Sequence, residues 1–166
     1  YIFYEDKLVW RTTRQIGKHF INNENLGLVT PRQCQSDWRY IFITKNIIEF
    51  NLTGTAGKFG SGSLFPLYLY HDENSLTNER TPNLNLEIVK EIEDKLNLKF
   101  TNEKEDDSST FAPIDILDYI YAVLHSPNYR ETYKEFLKID FPRVPYPDIK
   151  TFWQLVSLGG RLRAIH

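Results

Sequence analysis

The sequence predicts an α+β fold, with a short-stranded mixed or antiparallel sheet in the N-terminal half and a helical C-terminal half. Three observations predict it. The first half alternates short apolar runs with turn residues. The second half changes to helical spacing of its apolar residues. Prolines 113 and 127 stand at first-turn positions of second-half runs, where a missing N–H costs nothing. Strands followed by helices argue against βαβ repeats, and no internal repeat is visible.

The candidate strands, in order, are YIFY (1–4), KLVW (7–10), LGLVT (26–30), RYIFIT (39–44), IIEF (47–50) and LFPLYLY (64–70). Pro66 inside the last suggests an edge or a bulge, because proline cannot donate to a ladder. RQIGKHFI (14–21) reads as a short helix. TGTAGKFGSGS (53–63) holds four glycines in eleven residues and reads as a mobile loop. NLEIVKEIEDKLNL (85–98) places Leu86, Val89, Ile92 and Leu96 at helical spacing, with Asn85 as N-cap. TNEKEDDSST (101–110) is acidic and predicts a poorly ordered surface loop. PIDILDYIYAVLH (113–125), PNYRETYKEFLKI (127–139) and IKTFWQLVSLGGRLRAI (149–165) read as helices, Ser126 capping the second. Between the last two, DFPRVPYP restricts φ at three prolines, which sets a firm path into the final helix.

A chain of 166 residues makes one domain and can bury about 68–70% of its unfolded surface, enough for a core. No apolar run approaches the ~18 residues of a membrane span, and no signal-peptide pattern is present. One cysteine, Cys34, excludes an internal disulfide and fits a reducing, cytoplasmic setting. A start at Tyr1 with no methionine anywhere reads as an excised piece of a longer polypeptide. Net charge is −2, but its distribution is uneven. Residues 1–60 carry eight Lys/Arg against five Asp/Glu; residues 61–110 carry five against eleven; residues 111–166 carry seven against six. An acidic middle thus masks a mildly basic first third. Scattered surface charge would look the same.

Catalytic signatures fail on inspection. Gly57-Lys58 is followed by Phe59, and Leu52 stands five positions before Gly57, so the Walker pattern is not met. Gly60-Ser61-Gly62 leads into a strand, against a dinucleotide fingerprint. The four histidines (19, 71, 125, 166) have no partner at metal-binding spacing. Glu93 and Lys95 form an E-x-K without a preceding acidic strand, and read as a solvated helix face. His125 beside Ser126 reads as a cap-region packing residue.

Longer blocks carry more information. YIYAVLHSPNYRETYKEFLKIDFPRVPYP (119–147), followed by FWQLVSLGGRLRAIH, closely resembles the C-terminal target-recognition (specificity) region of type ISP restriction–modification enzymes. KLVWRTTRQIGKHF, NLGLVTPRQ, IFITKNIIEFN, LFPLYLYHDE and PNLN resemble that family's blocks in its order, so the resemblance covers nearly the whole chain. Related single-chain enzymes that cut and methylate with one recognition domain share parts of it. Such enzymes join a nuclease, a helicase-like motor, an adenine-N6 DNA methyltransferase and a recognition domain. The resemblance implies a sequence-reading piece that positions the methyltransferase and nuclease. It implies no cofactor in this piece, but S-adenosylmethionine, ATP and Mg in the parent. The implied partners are double-stranded DNA and the methyltransferase domain of the same polypeptide, with no membrane. The methyltransferase motif Asn/Asp-Pro-Pro-Tyr/Phe is missing here, as is any helicase ATP motif, so the piece itself is expected not to be an enzyme.

Under this reading the chain is one target-recognition domain. Residues 1–70 form its strand-rich DNA-facing part, 71–110 an acidic connection with one helix, and 111–166 a helical scaffold. Ile120, Val123 and Leu124 form one apolar face of that scaffold; Phe152, Leu155, Val156 and Leu162 form another. Base reading needs Arg, Lys, Asn or Gln on a rigid edge, and phosphate positioning needs Lys/Arg, Ser/Thr and free amides. Four stretches qualify: Arg32 and Gln33; Arg11 and Arg14 with Thr12, Thr13 and Lys18; Lys45 and Asn46 with Thr44; and Lys58, Ser61 and Ser63 with glycine amides. Adjacent strand residues point to opposite faces, so one of Arg32 and Gln33 reads a base. Arg32 is preferred, because its fork suits guanine or phosphate. Two rivals stand: a protein-docking module that never touches DNA, which would lack salt-dependent DNA binding, and an enzyme with an unrecognised site, which would turn over alone.

Overall fold

The computed structural model of the chain describes residues 14–34, 38–49, 51–53, 62–71 and 80–166. The strands expected at 1–4 and 7–10, and most of the glycine-rich loop, lie outside the described residues. Helix α1 (Arg14–Gly17) is one turn and leads to β1 (Gly27–Pro31), β2 (Phe42–Thr44) and β3 (Gly62–Pro66). These three strands form an antiparallel sheet in the order β2-β1-β3, with Gly27 opposite Thr44 and Pro66, and Pro31 opposite Gly62. Then come β4 (Tyr68–Tyr70), β5 (Arg80–Pro82), α2 (Leu86–Leu96), β6 (Lys99–Phe100) and β7 (Thr110–Phe111). β4 and β5 pair antiparallel; β6 and β7 pair parallel. The C-terminal part is helical: α3 (Pro113–His125), α4 (Pro127–Thr132), α5 (Lys134–Leu137) and α6 (Ile149–Ile165). The α+β expectation holds.

β1 is the central strand of its sheet, and Val29, Thr30 and Pro31 are buried. Among the described residues β3 is an edge strand, and Pro66 ends it, where its missing donor is harmless. The run LFPLYLY therefore makes two strands, split at Leu67. Asn25 stitches the two sheets together. Its buried amide accepts from Leu26 N (2.9 Å) and Tyr68 N (3.2 Å), and donates to Tyr68 O (2.8 Å) and His19 O (3.0 Å).

Three sequence expectations are corrected. Residues 47–49 of the expected strand IIEF carry no ladder. Local side-chain bonds win there: Asn46 N donates to Thr44 Oγ1 (3.0 Å), and Asn51 N donates to the Glu49 carboxylate (2.7 Å). The helix expected over 127–139 breaks at Tyr133. Tyr129 and Leu137, both buried, are eight residues apart and would face about 80° apart on one helix; the break turns both inward. The acidic segment 101–110 is tied down rather than loose. It connects the parallel β6 and β7, Glu103 binds Arg80 at 2.7 and 2.6 Å, and Lys104 binds Asp115 at 2.9 Å through both oxygens.

The core forms where α3 and α6 cross. α3 is apolar nearly all round and is buried along most of its length, as expected of an internal helix. Tyr121, Phe111 and Phe152 are its largest fully buried side chains. Phe111 and Phe152 meet edge-on at 5.9 Å, and Phe152 touches the Tyr119 ring at 5.6 Å. Gly159 permits the crossing: a Cβ there would stand 1.9 Å from the backbone oxygen of Asp118. The capping residues act as expected, Asn85 accepting from Glu87 N at 2.8 Å and Ser126 from Tyr129 N at 3.4 Å.

Candidate nucleic-acid interface

The proline-rich segment after α5 joins the two halves of the molecule, and this is why its path is firm. From the helical side, Tyr119 Oη donates to Pro145 O (2.9 Å) and Tyr129 Oη to Arg143 O (2.8 Å). From the sheet side, Phe65 of β3 meets Phe141 edge-on at 5.5 Å. Arg32 and Gln33, leaving the end of β1, complete the joint. Arg32 Nε donates to Asp140 Oδ1 at 3.0 Å, and Gln33 Nε2 donates to Ile139 O at 3.2 Å. The Arg32 side chain remains 65% exposed. The Asp140 carboxyl is held below its usual range, first by the Phe141 backbone N–H and then by Arg32.

The other candidates divide between the two ends of the sheet. Ser63 of β3 pairs with Thr30, beside Arg32 and Gln33. Lys45 and Asn46 follow β2, and Thr44 pairs with Gly27, so they stand at the opposite end. Five strand residues separate the ends by roughly 17 Å. Lys18 follows α1, is exposed, and its carbonyl accepts from Asn23 Nδ2 at 2.9 Å. Arg11, Lys58 and Ser61, and the side chain of Arg14, lie outside the described residues.

Lys45 lines a cleft of about 520 Å³ that also receives Arg80, Lys104 and Arg163. Sequence reasoning missed those three, because they come from the acidic middle and the last helix. Each is paired: Arg80 with Glu103, Lys104 with the buried Asp115, and Arg163 with the buried Asp118 at 2.7 and 3.0 Å. Arg80 also stacks 4.0 Å from the centre of the Tyr68 ring. The Glu103 hydrogen bond pushes the Arg80 guanidinium pKa up. Burial, followed by the charge of Glu103, pushes the Tyr68 phenol to about 12. Asp140 was missed as well, since nothing local distinguishes it. Among the described residues, no group of three or more His, Cys, Asp or Glu could hold a metal ion. Among them too, no helix is long and apolar enough to cross a membrane.

The fold and this surface define a small α+β module that presents polar and basic side chains at a braced end of its sheet. The whole chain, residues 1–166, matches the Type ISP C-terminal specificity domain, and it belongs to that family. The solved structures that share its fold include two complexes with DNA. One is the ATP-dependent Type ISP restriction-modification enzyme LlaBIII bound to DNA, with TM-score 0.64 and 21% identity over 87% of this chain and 8% of that one. The other is the DrdV–DNA complex, with TM-score 0.63 and 26% identity over 87% of this chain and 12% of that one. The chain thus spans about a tenth of the length of either. Among curated proteins nothing matches it.

Proposed function

We propose that this chain is the DNA sequence-recognition domain of a restriction–modification DNA methyltransferase. It sets an adenine-N6 methyltransferase, and a nuclease in the same polypeptide, on its target site. The observation that carries the reading is the match of the entire chain to the specificity family. Both fold relatives are described as bound to DNA. Residues 1–70 form the DNA-facing part and 111–166 the scaffold, with 71–110 between them.

Arg32 is our base-reading candidate, with Gln33 beside it and Ser63 on the neighbouring strand. Lys45 and Asn46, roughly 17 Å away, are suited to phosphates about five base-pair rises off. Lys18 is a further phosphate candidate, as are Arg11, Arg14, Lys58 and Ser61. Phosphate contacts position the protein and base contacts specify the sequence, so the two ends do different work. Chemistry belongs to the rest of the polypeptide, together with S-adenosylmethionine, ATP and Mg. The fragment alone transfers no methyl group.

Leu158 and Ile165, seven residues apart on α6, are 47% and 80% exposed. We assign this face to the methyltransferase domain of the same polypeptide, alongside DNA reading. The test is binding of duplex DNA by the full-length protein across a salt series. A DNA reader loses affinity steeply with salt, by a slope of about −0.9 per neutralised phosphate. Removing this chain should abolish preference for any target. Preference that survives the removal would refute the proposal.

A further inference from the structure

We infer that Asp140 is a specificity-determining positioning residue for Arg32, although it comes from the far end of the chain and would not touch a base itself. The inference rests on the reading of Arg32 as a base contact. Arg32 Nε and Asp140 Oδ1 are 3.0 Å apart, and the two residues are separated by 108 positions. Among the described residues, Asp140 takes only the Nε corner of the guanidinium. Among the described residues neither Nη group is bonded and the side chain is 65% exposed, which leaves the Nη pair able to fork onto guanine O6 and N7.

An exposed arginine samples many rotamers, and it forks onto phosphate as readily as onto guanine. Left loose, Arg32 would bind the backbone of any sequence. Asp140 prevents this, because it is fixed from several directions. Its backbone N–H donates to Phe136 O at 3.2 Å, its carboxylate accepts from the Phe141 N–H, and the Phe141 ring rests on Phe65. Gln33 holds the other side of the joint through Ile139 O. A carboxylate facing DNA repels phosphates, so Asp140 lowers affinity for DNA in general. Its position is accounted for if what it supplies is orientation.

This gives a prediction of unusual sign. In the full-length protein, Asp140→Ala lowers affinity for the target duplex but leaves unrelated duplex bound equally or more tightly. The target-to-unrelated ratio falls by roughly tenfold, within the discrimination of one bidentate pair. The salt slope on unrelated DNA steepens by about one, as Arg32 reaches a phosphate. Asp140→Asn keeps an acceptor oxygen and falls between; it carries the test if the alanine variant does not fold. Arg32→Ala combined with Asp140→Ala should show the same target-to-unrelated ratio as Arg32→Ala alone, because Asp140 acts on specificity through Arg32. The target duplex is first selected from a random library by the wild-type protein. Equal losses on both duplexes would show Asp140 to be merely structural and overturn the inference. So would an unchanged ratio in Asp140→Ala while Arg32→Ala relaxes the target. If Arg32→Ala itself changes nothing, the base-contact reading fails first.

Discussion

Replacing Gly159 by alanine should destabilise the chain, against the rule that alanine favours helices. Gly159 lies inside α6, where the substitution ordinarily gains about 1 kcal/mol. Here the new methyl would sit 1.9 Å from the Asp118 backbone oxygen, whereas ordinary contact begins at 3.4 Å. Helix α6 must retreat from α3 by about 1.5 Å. The retreat loosens Phe152, which is 1% exposed, and stretches the bond between Arg163 and the buried Asp118. Overpacking costs about 1–3 kcal/mol. A weakened bond to a buried carboxylate adds about 1–3 kcal/mol. With the propensity gain subtracted, the net loss is about 3 kcal/mol, or roughly 10 °C in Tm for a chain of this size. The assay is urea and thermal unfolding of the 166-residue chain, followed by tryptophan fluorescence. Gly160→Ala is the control: its methyl would meet Asp118 only through its side chain, Oδ2 at 3.1 Å and Cγ at 3.7 Å, and the change should stay within about 1 kcal/mol. If Gly159→Ala is neutral or stabilising, the close crossing of α3 and α6 is wrong.

Three further outcomes follow from the same geometry. Lys104→Ala leaves the buried Asp115 without its cation and should cost about 1–3 kcal/mol in urea unfolding; a loss below about 0.5 kcal/mol would mean the 101–109 loop is as loose as its composition suggests. The His125 imidazole is pushed down to about 4, by burial first and then by Arg130 and His166. The folded state therefore resists a proton that the unfolded state accepts near pH 6.5, so stability falls as pH drops from 6.5 towards 4. His125→Phe should flatten that part of the profile, while carboxylates held low, such as Glu103 and Asp140, retain their loss at more acid pH; identical profiles for both proteins between pH 7 and 5 would contradict this. The purified 166-residue chain should transfer no methyl group from S-adenosylmethionine to DNA, and measured transfer would place a catalytic site where no motif supports one.

What the sequence made legible was local. The periodicity of residues 113–125 and 149–165 marks α3 and α6 within their boundaries, and Asn85 and Ser126 announce caps because their short side chains reach N–H groups two or three residues on. What stayed hidden depends on partners far along the chain. Arg32 stands out by type and place, but the carboxylate that orients it is 108 residues away. The tyrosine hydroxyls holding residues 143–145 look like ordinary core aromatics until the fold brings them there. Lys104 and Arg163 disappear into regional charge sums, although they converge with Lys45 on one cleft. Composition misled at 101–110, because four carboxylates and polar neighbours suggest a loose loop when Arg80 and Asp115 are not yet in view. IIEF failed for a related reason: its apolar run suits a strand, but Thr44 and Glu49 turn the backbone locally.

The central claim is that this chain chooses the DNA sequence for the protein that carries it. The most direct measurement exchanges it for the equivalent domain of a family member with a different target, within the full-length protein. The sequence that the hybrid selects from a random duplex library is then determined. The account predicts that the selected sequence is that of the donor of the domain. Selection of the original sequence by the hybrid would contradict it.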